Sequence, residues 1–169
     1  MTLGTKQVCN STGSADYYVS TYYLGGVSAG TATAQVTFSS GSYGQMGVTD
    51  FTGTNTAAPL DTTATGYTAS GATSISTSIT TTYADSFLVD VMCPGSNGGT
   101  PTKNSSQTLE WANTNRYSGS SRQPTTTAGG YSMSWTWGTA SEVGQSIIAI
   151  RELPAAAVSS IFAAIYGWF

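Results

Sequence analysis

The stretch Ser86-Phe87-Leu88-Val89-Asp90-Val91-Met92-Cys93 indicates the fold class more directly than any other part of the chain. Successive side chains of a β-strand point to opposite faces of the sheet. Here one face would carry a Phe, two Val and a Cys, and the other a Leu, an Asp and a Met, so both faces are largely apolar. Strands of this kind are covered on both sides. The stretch therefore predicts a central strand.

Seven other segments have the composition of strands and are separated by clusters of Gly, Ser, Asn and Pro. In these segments β-branched and aromatic residues recur at a period of two. Many short strands between turn clusters are typical of an antiparallel β-sandwich. Connections at 52–72 and 114–130 would lie at its ends, where recognition loops usually are. We therefore expect an all-β, jelly-roll-like antiparallel β-sandwich of about eight strands, at residues 16–24, 31–38, 43–51, 73–80, 86–93, 107–113, 131–137 and 145–153.

The composition sets the size and the surface of this domain. A chain of 169 residues with 39% hydrophobic residues closes one core, so we expect a single domain over residues 1–154. Only 8% of the residues are charged, and nearly a third are Ser or Thr, whereas soluble domains normally have about a quarter charged residues. Neutral, hydroxyl-rich exteriors are common in secreted, surface-layer and phage-fibre proteins. The composition thus predicts an extracellular, cell-surface or virion location.

Charge and residue content argue against several classes of partner and site. The formal net charge is −3, and the five Lys and Arg residues form no basic stripe that would bind nucleic acid or anionic lipid. The chain has no histidine, which excludes a Ser-His-Asp triad, a Cys-His pair and the common zinc sites. It has neither a phosphate-binding glycine loop nor an EF-hand calcium loop. We expect no cofactor and no nucleic-acid partner.

Carboxylates are the remaining candidates for catalysis, because a glycosidase needs only two of them across a cleft. Five acids lie on predicted strands or at their ends, namely Asp50, Asp90, Glu110, Glu142 and Glu152. No strand carries two of them at i and i+2 or i+4, the spacing that places side chains together on one face. We therefore expect no enzyme, and interpret these acids as solvated groups or as ion-pair partners of Arg116, Arg122 and Arg151.

Aromatic residues are the candidate sugar contacts. Trp135 and Trp137 share one face of the strand at 131–137, Trp111 lies on another strand, and Tyr117 lies in the connection that follows it. Rings on an open sheet face can stack on sugars, whereas rings that face inward form core. Neighbouring Ser and Thr residues look like the wet face, which favours the core for Trp135 and Trp137. A carbohydrate-binding module would use these aromatic residues together with the two long connections.

Two cysteines and two glycosylation sequons bear on the compartment. Cys9 and Cys93 permit either one disulfide, as an oxidising compartment would favour, or a pair of buried free thiols. The sequons at Asn10 and Asn104 fit the N-glycosylation pattern, which also occurs by chance in Ser/Thr-rich chains. No apolar secretory signal follows Met1. We expect either earlier processing or assembly from the cytoplasm, as in virion components.

The chain ends in an apolar segment, residues 155–169, which Pro154 separates from the last predicted strand. Its large apolar residues are spaced to share one helical face, so we expect a short C-terminal helix or tail. The segment is shorter than the roughly 20 residues that span a bilayer, and no transmembrane span is expected. We interpret it as a docking segment with the candidate assembly residues Val158, Ile161, Phe162, Ile165, Tyr166, Trp168 and Phe169.

Several further stretches are distinctive as a set. They are Tyr22-Tyr23-Leu24-Gly25-Gly26-Val27-Ser28-Ala29-Gly30-Thr31-Ala32-Thr33, Val36-Thr37-Phe38-Ser39, Gly47-Val48-Thr49-Asp50-Phe51-Thr52-Gly53, Pro59-Leu60-Asp61, Ser74-Ile75-Ser76-Thr77-Ser78-Ile79-Thr80 and Ile147-Ile148-Ala149-Ile150. Over about residues 16–153, this set resembles the jelly-roll or concanavalin-like β-sandwich modules of large secreted or cell-surface prokaryotic proteins. The resemblance implies a sandwich fold, an extracellular setting and an adhesive or structural role, and carries no catalytic signature.

The chain departs from this pattern at Asp50, where such modules more often have Glu, and at its start, before which they usually have further strands. A sandwich without those strands has an open sheet edge or core face, and such edges are normally covered. We expect the apolar tail to be that cover, within its own chain in a monomer or on a neighbour in a homo-oligomer or polymer.

Three functional hypotheses follow from the sequence. The favoured one is a non-enzymatic structural subunit that assembles through the tail into a filament, shell or fibre. The alternative is a carbohydrate-binding or adhesive module. A glycoside-active enzyme ranks third, because it would need two carboxylates that face a common cleft.

Overall fold

A computed structural model describes residues 1–10, 17–26, 33–37, 44–95, 99–114, 117–153 and 160–168, the last range by its backbone alone. These residues form ten β-strands and no helix. All strand pairings are antiparallel, so the prediction of an all-β antiparallel chain is confirmed. In chain order the strands are β1 (Thr2–Asn10), β2 (Tyr17–Gly25), β3 (Gly44–Thr52), β4 (Leu60–Thr81), β5 (Ser86–Pro94), β6 (Thr102–Lys103), β7 (Thr108–Asn113), β8 (Ser118–Pro124), β9 (Gly129–Arg151) and β10 (Ser160–Trp168).

The strands are arranged in two sheets. The small sheet has the order β1-β2-β10-β3, and the large sheet has the order β4-β9-β5-β8-β7, with β6 paired to β9. The two sheets pack against each other, because buried residues of β1, β2 and β3 form one cluster with residues of β5 and β9. The buried members of this first core are Cys9, Val19, Phe51, Val89, Val91, Cys93, Ile148 and Ile150.

The strand predicted to be central, β5, lies between β9 and β8 and is buried along almost its whole length. Val89 and Val91 belong to the first core. Leu88 and Met92 belong to two further clusters, which they form with residues of β4 and β9. Both apolar faces of β5 are thus covered, and the sequence-based prediction for this strand is confirmed.

The cover on the second face comes from β4 and β9, which are 22 and 23 residues long. The two strands pair with each other and double back on themselves. Shifts in their register midway mark the bend. Asp61, near the start of β4, accepts hydrogen bonds from the backbone N–H groups of Thr82 (2.9 Å) and Tyr83 (3.3 Å), which follow its end. Thr77 likewise packs directly on Gly66 of the same strand. The far half of the β4–β9 pair therefore lies over the outer face of the large sheet.

Several strands differ from the predicted ones. The segments 131–137 and 145–153 belong to the single strand β9, and 73–80 is the second half of β4. The connections expected at 52–72 and 114–130 contain the first half of β4 and all of β8. These segments lack a regular alternation of large apolar residues, so the sequence does not mark them as strands and the pairing partner decides their conformation. The pattern does not predict β1 or β6 either.

One predicted strand is wrong over its described part. Residues 33–37, within the predicted strand 31–38, form no strand, and the remainder of that segment lies outside the described residues. Its alternation of Thr with Ala gives it little apolar surface to bury. Ala is depleted in strands for that reason.

The predicted C-terminal helix is wrong over its described part, because residues 160–168 form the strand β10. Phe162 pairs with Leu24 of β2 on one side and with Asp50 of β3 on the other. The spacing of the large apolar residues favours a helix. Two strand edges that offer backbone hydrogen bonds on both sides decide for the strand.

Candidate functional site

The two tryptophans considered as sugar contacts on β9 are buried. Trp135 is 1% exposed and Trp137 is 6% exposed. Their indole Nε1 groups donate hydrogen bonds to Asp90 Oδ2 (2.7 Å) and to the carbonyl of Ala72 (3.0 Å). Buried, hydrogen-bonded rings of this kind are core residues. The core interpretation therefore holds for this pair, and no sugar reaches either ring in this fold.

Trp111 and Tyr117 do not form an open platform either. Trp111 is half-buried on β7, and its indole ring lies where a Cβ on Gly47 would be, so it packs on the backbone of β3. It also contacts the first core. Tyr117 is half-buried with φ at +56°, a conformation that turns favour. The four predicted aromatic residues are thus not brought together on one exposed face.

Asp90 is the most unusual polar residue of the structure, because its carboxyl group has no exposed surface and contacts Trp135. Trp135 belongs to the second core, which is the cluster of Ile75, Met92, Trp135, Trp137 and Val143. Its Oδ1 accepts hydrogen bonds from the N–H (3.0 Å) and the hydroxyl (2.6 Å) of Ser121. Its Oδ2 accepts from Trp135 Nε1 (2.7 Å) and Gln145 Nε2 (2.6 Å). Gln107 extends the network by donating to the Ser121 hydroxyl (2.6 Å). Four donors around one carboxyl group match its ionised form.

Burial raises the pKa of Asp90 from 3.8 to about 6, and hydrogen bonds from Ser121, Trp135 and Gln145 oppose the rise. The group is consequently ionised at neutral pH. Asp90 has no exposed surface, and its partners come from β8 and β9, the two strands that flank β5 in the large sheet. Its role is therefore to hold β5, β8 and β9 together.

The other predicted carboxylates are spread over the two sheets. Glu110 pairs with Arg122 at 2.9 Å and accepts a hydrogen bond from the Thr49 hydroxyl (3.3 Å), which links β7 to β3. Asp50 is exposed and Glu142 is buried. The ion-pair interpretation is confirmed for Glu110, whereas Arg116 lies outside the described residues. Within the described ranges, no three His, Cys, Asp or Glu side chains are close enough to hold a metal ion.

One cleft does gather charged side chains. It lies between the turn that joins β4 to β5 and the end of β9, and holds about 210 Å³. Its lining residues are Tyr83, Ala84, Asp85, Arg151, Glu152 and Leu153. The Arg151 guanidinium lies 3.6 Å from the centre of the Tyr83 ring. Sequence reasoning expects Glu152 to be a strand-end acid, but does not bring these residues together.

Local hydrogen bonds fix the shape of this cleft. The carboxylate of Asp61 anchors the turn at Thr82 and Tyr83. Asp85 has φ at +53°, and its carbonyl accepts a hydrogen bond from the Glu152 N–H (3.2 Å). A non-glycine residue in the left-handed region is uncommon and marks a position that its surroundings hold in place. In the sequence, the only signal was the adjacent pair Arg151 and Glu152 in a chain that has few charged residues.

The described part of the predicted assembly segment, residues 160–168, lies inside the small sheet. In the described chain β2 and β3 pair with β10 and not with each other, so β10 closes the sheet between them. Leu153 N–H donates to the carbonyl of Gly53 (2.8 Å), and Ser160 pairs with Thr52. The C-terminal end of β9 and the N-terminal end of β10 therefore lie close together, at the end of β3. The backbone of Ile161, Phe162, Ile165, Tyr166 and Trp168 belongs to β10, whereas Val158 and Phe169 lie outside the described residues.

The same sheet exposes large apolar side chains next to β10. Leu24 on β2, and Met46 and Val48 on β3, are all exposed. Val48 pairs with Ala164 of β10, and Met46 pairs with Tyr166. Clustered apolar side chains on an exposed sheet face are typical of interaction surfaces.

The two cysteines are joined, so the free-thiol alternative is wrong for this structure. The Cys9–Cys93 disulfide links β1 to β5 with a Cα–Cα distance of 5.8 Å. Asn10, in the first sequon, is half-buried and donates through Nδ2 to the carbonyl of Gly95 (3.2 Å). Asn104, in the second, is exposed in a turn where its Oδ1 accepts from the Ser106 N–H (3.1 Å).

Within the described residues, no helix is long and apolar enough to cross a membrane. Comparison of the chain with protein-family models, with curated proteins and with solved structures finds no match in any of the three.

Proposed function

We propose that the chain is a non-enzymatic structural subunit of an extracellular or virion-surface assembly, built on a jelly-roll-like β-sandwich. The observation that carries the proposal is the position of β10, the last strand, between β2 and β3. Seven residues of β10 pair with β2 and nine with β3. A strand with two complete sets of backbone partners makes the same contacts whether its own chain or a second copy supplies it.

The surface supports the same proposal. Thirteen of 169 residues are charged, so two copies can approach with little charge repulsion and little desolvation of ions. Leu24, Met46 and Val48 supply apolar surface beside β10. The Cys9–Cys93 disulfide favours an oxidising environment. In the proposed assembly β10 of each subunit completes the small sheet of a neighbour, in a filament, shell or fibre.

Paired cysteines distinguish an exchanged β10 from one that stays in its own chain. Val48 and Ala164 lie opposite each other, at the Cα separation that a disulfide needs. The two native cysteines are bonded to each other, so Val48→Cys and Ala164→Cys supply the free thiols. The two single variants are refolded together, oxidised and run on a non-reducing gel. A disulfide-linked V48C–A164C dimer is expected if β10 is exchanged.

The controls use the same chain. Val48→Cys mixed with Ala163→Cys should give much less dimer, because Ala163 pairs with Thr49 and not with Val48. The double variant V48C/A164C should form linked multimers under exchange. A double variant that forms only internal disulfides, together with a monomeric wild type in light scattering, would overturn the proposal.

A further inference from the structure

We propose that the cleft lined by Tyr83, Asp85, Arg151 and Glu152 is a carbohydrate-binding site for one neutral sugar residue. This inference is independent of the assembly proposed above, since the cleft lies at the ends of β4 and β9 and includes no residue of β10. It also differs from the aromatic set Trp111, Tyr117, Trp135 and Trp137. The site pairs one aromatic ring with two carboxylates.

Tyr83 provides the stacking surface. The residue is 46% exposed although the Arg151 guanidinium covers one face of its ring. The opposite face is what the ring presents to solvent. Aromatic rings with an open face bind the apolar C–H face of sugars, and the hydroxyl of Tyr83 adds a polar group at the edge.

Asp85 and Glu152 provide the hydrogen bonds. Both acidic residues are exposed at the cleft. A hydrogen bond from a sugar hydroxyl to a carboxylate is stronger than one between two neutral groups. Arg151 is half-buried, and its Nε is a buried donor without a hydrogen-bond partner. The guanidinium lies against the covered face of the Tyr83 ring, so it supports the ring and does not bind a sugar on the open face.

The concentration of charge is unusual for this chain. Three of the thirteen charged side chains line one cleft of about 210 Å³. Two carboxylates and one guanidinium give a net charge of −1, which disfavours anionic sugars and phosphates. The cleft volume equals the volume that about seven water molecules occupy in liquid water. One sugar residue at the end of a glycan fits these limits better than an internal stretch of polymer.

The cleft is also rigid before any ligand arrives. Asp61 anchors the turn through Thr82 and Tyr83, and Asp85 is held in the left-handed region. Sites built in this way bind without an ordering cost. For a ligand the size of a methyl glycoside we expect a millimolar Kd.

The test is titration of the full chain, uniformly labelled with ¹⁵N, with the methyl glycosides of glucose, galactose, mannose and N-acetylglucosamine. At least one glycoside is expected to shift the amide signals of Tyr83, Asp85 and Glu152. Tyr83→Ala should weaken this binding by at least about tenfold. The matched control is Tyr67→Ala. Tyr67 is also an exposed tyrosine (38% exposed), but it lies within β4 and does not line the cleft.

Glu152→Gln keeps the shape of the side chain and removes its charge. It should weaken binding several-fold, whereas a merely structural role would change the melting temperature and not the affinity. No shift at these amides with any of the four glycosides, or equal shifts in wild type and Tyr83→Ala, would overturn the proposal. Oligomeric state is measured in parallel, so a failure of the assembly proposed above is detected separately.

Discussion

Trp135 and Gln145 both donate hydrogen bonds to the same oxygen of Asp90, at 2.7 Å and 2.6 Å, although they belong to one strand. Ten residues of extended chain span about 33 Å. The two donors meet only because β9 doubles back at its bend. Asp90 therefore holds the two halves of β9 in place, and its removal should affect the whole second core.

The first prediction concerns this carboxylate. Asp90→Asn replaces one carboxylate oxygen, which accepts hydrogen bonds, by an amide NH₂ group, which donates them. This NH₂ group then faces the N–H or O–H donors that the oxygen had bound. We expect a loss of about 2 to 4 kcal/mol in the free energy of unfolding, measured with urea. Asp50→Asn is the matched control, because Asp50 is exposed on β3, and should change stability by no more than about 0.5 kcal/mol. Equal stabilities of the two variants would contradict this role.

The second prediction is a pH dependence of stability. Burial raises the pKa of Asp90 to about 6 in the folded chain, whereas the ordinary pKa of the carboxyl group is 3.8. Between these two pH values Asp90 is protonated in the folded state and ionised in the unfolded state. Stability should therefore rise as the pH falls from 7 to 5, by on the order of 1 kcal/mol. The chain has no histidine to titrate in this window. Asp90→Asn should abolish the rise, and a wild type that loses stability over this range would contradict the assignment.

The third prediction concerns the disulfide. Cys9 and Cys93 are 84 residues apart in sequence, and cross-linking a loop of that length lowers the entropy of the unfolded chain. The double variant C9A/C93A should lose about 4 to 5 kcal/mol. Thermal unfolding of the variant is compared with that of the wild type, with and without a reducing agent. Reduction should lower the melting temperature of the wild type only.

The fourth prediction uses two glycines of one strand. A Cβ on Gly144 would collide with the backbone carbonyl of Val8, where β1 crosses β9. Gly144→Ala should therefore cost about 1 to 3 kcal/mol. A Cβ on Gly138 meets no atom within 4 Å, so Gly138→Ala in the same strand should be neutral or slightly stabilising. Similar urea midpoints for both variants would show that β1 does not approach β9 this closely.

The positions of several strands followed from the sequence because their residues carry local information. β5 has two apolar faces, and β2, β3 and β7 agree with their predicted ranges to within one or two residues. The bend of β4 and β9 did not follow, since it depends on contacts such as that of Thr77 with Gly66. These residues have no pattern that marks them as neighbours.

The candidate site shows the same division. Trp111, Trp135 and Trp137 were recognisable as residues with a large apolar surface, but only the packing decides whether a ring faces a core or a sugar. Tyr83 and Arg151 come together because the end of β4 returns to the end of β9. A stacking contact between residues so far apart in sequence has no signature in either segment.

The sequence by itself determined that the chain is all-β, that β5 is central and that the exterior is neutral, because composition and a period of two act on each strand locally. Only the tertiary structure decided that residues 160–168 form a strand. The spacing of its large apolar residues favours a helix. The paired edges of β2 and β3 supply backbone hydrogen bonds on both sides, and this partner, which lies far away in sequence, selects the strand.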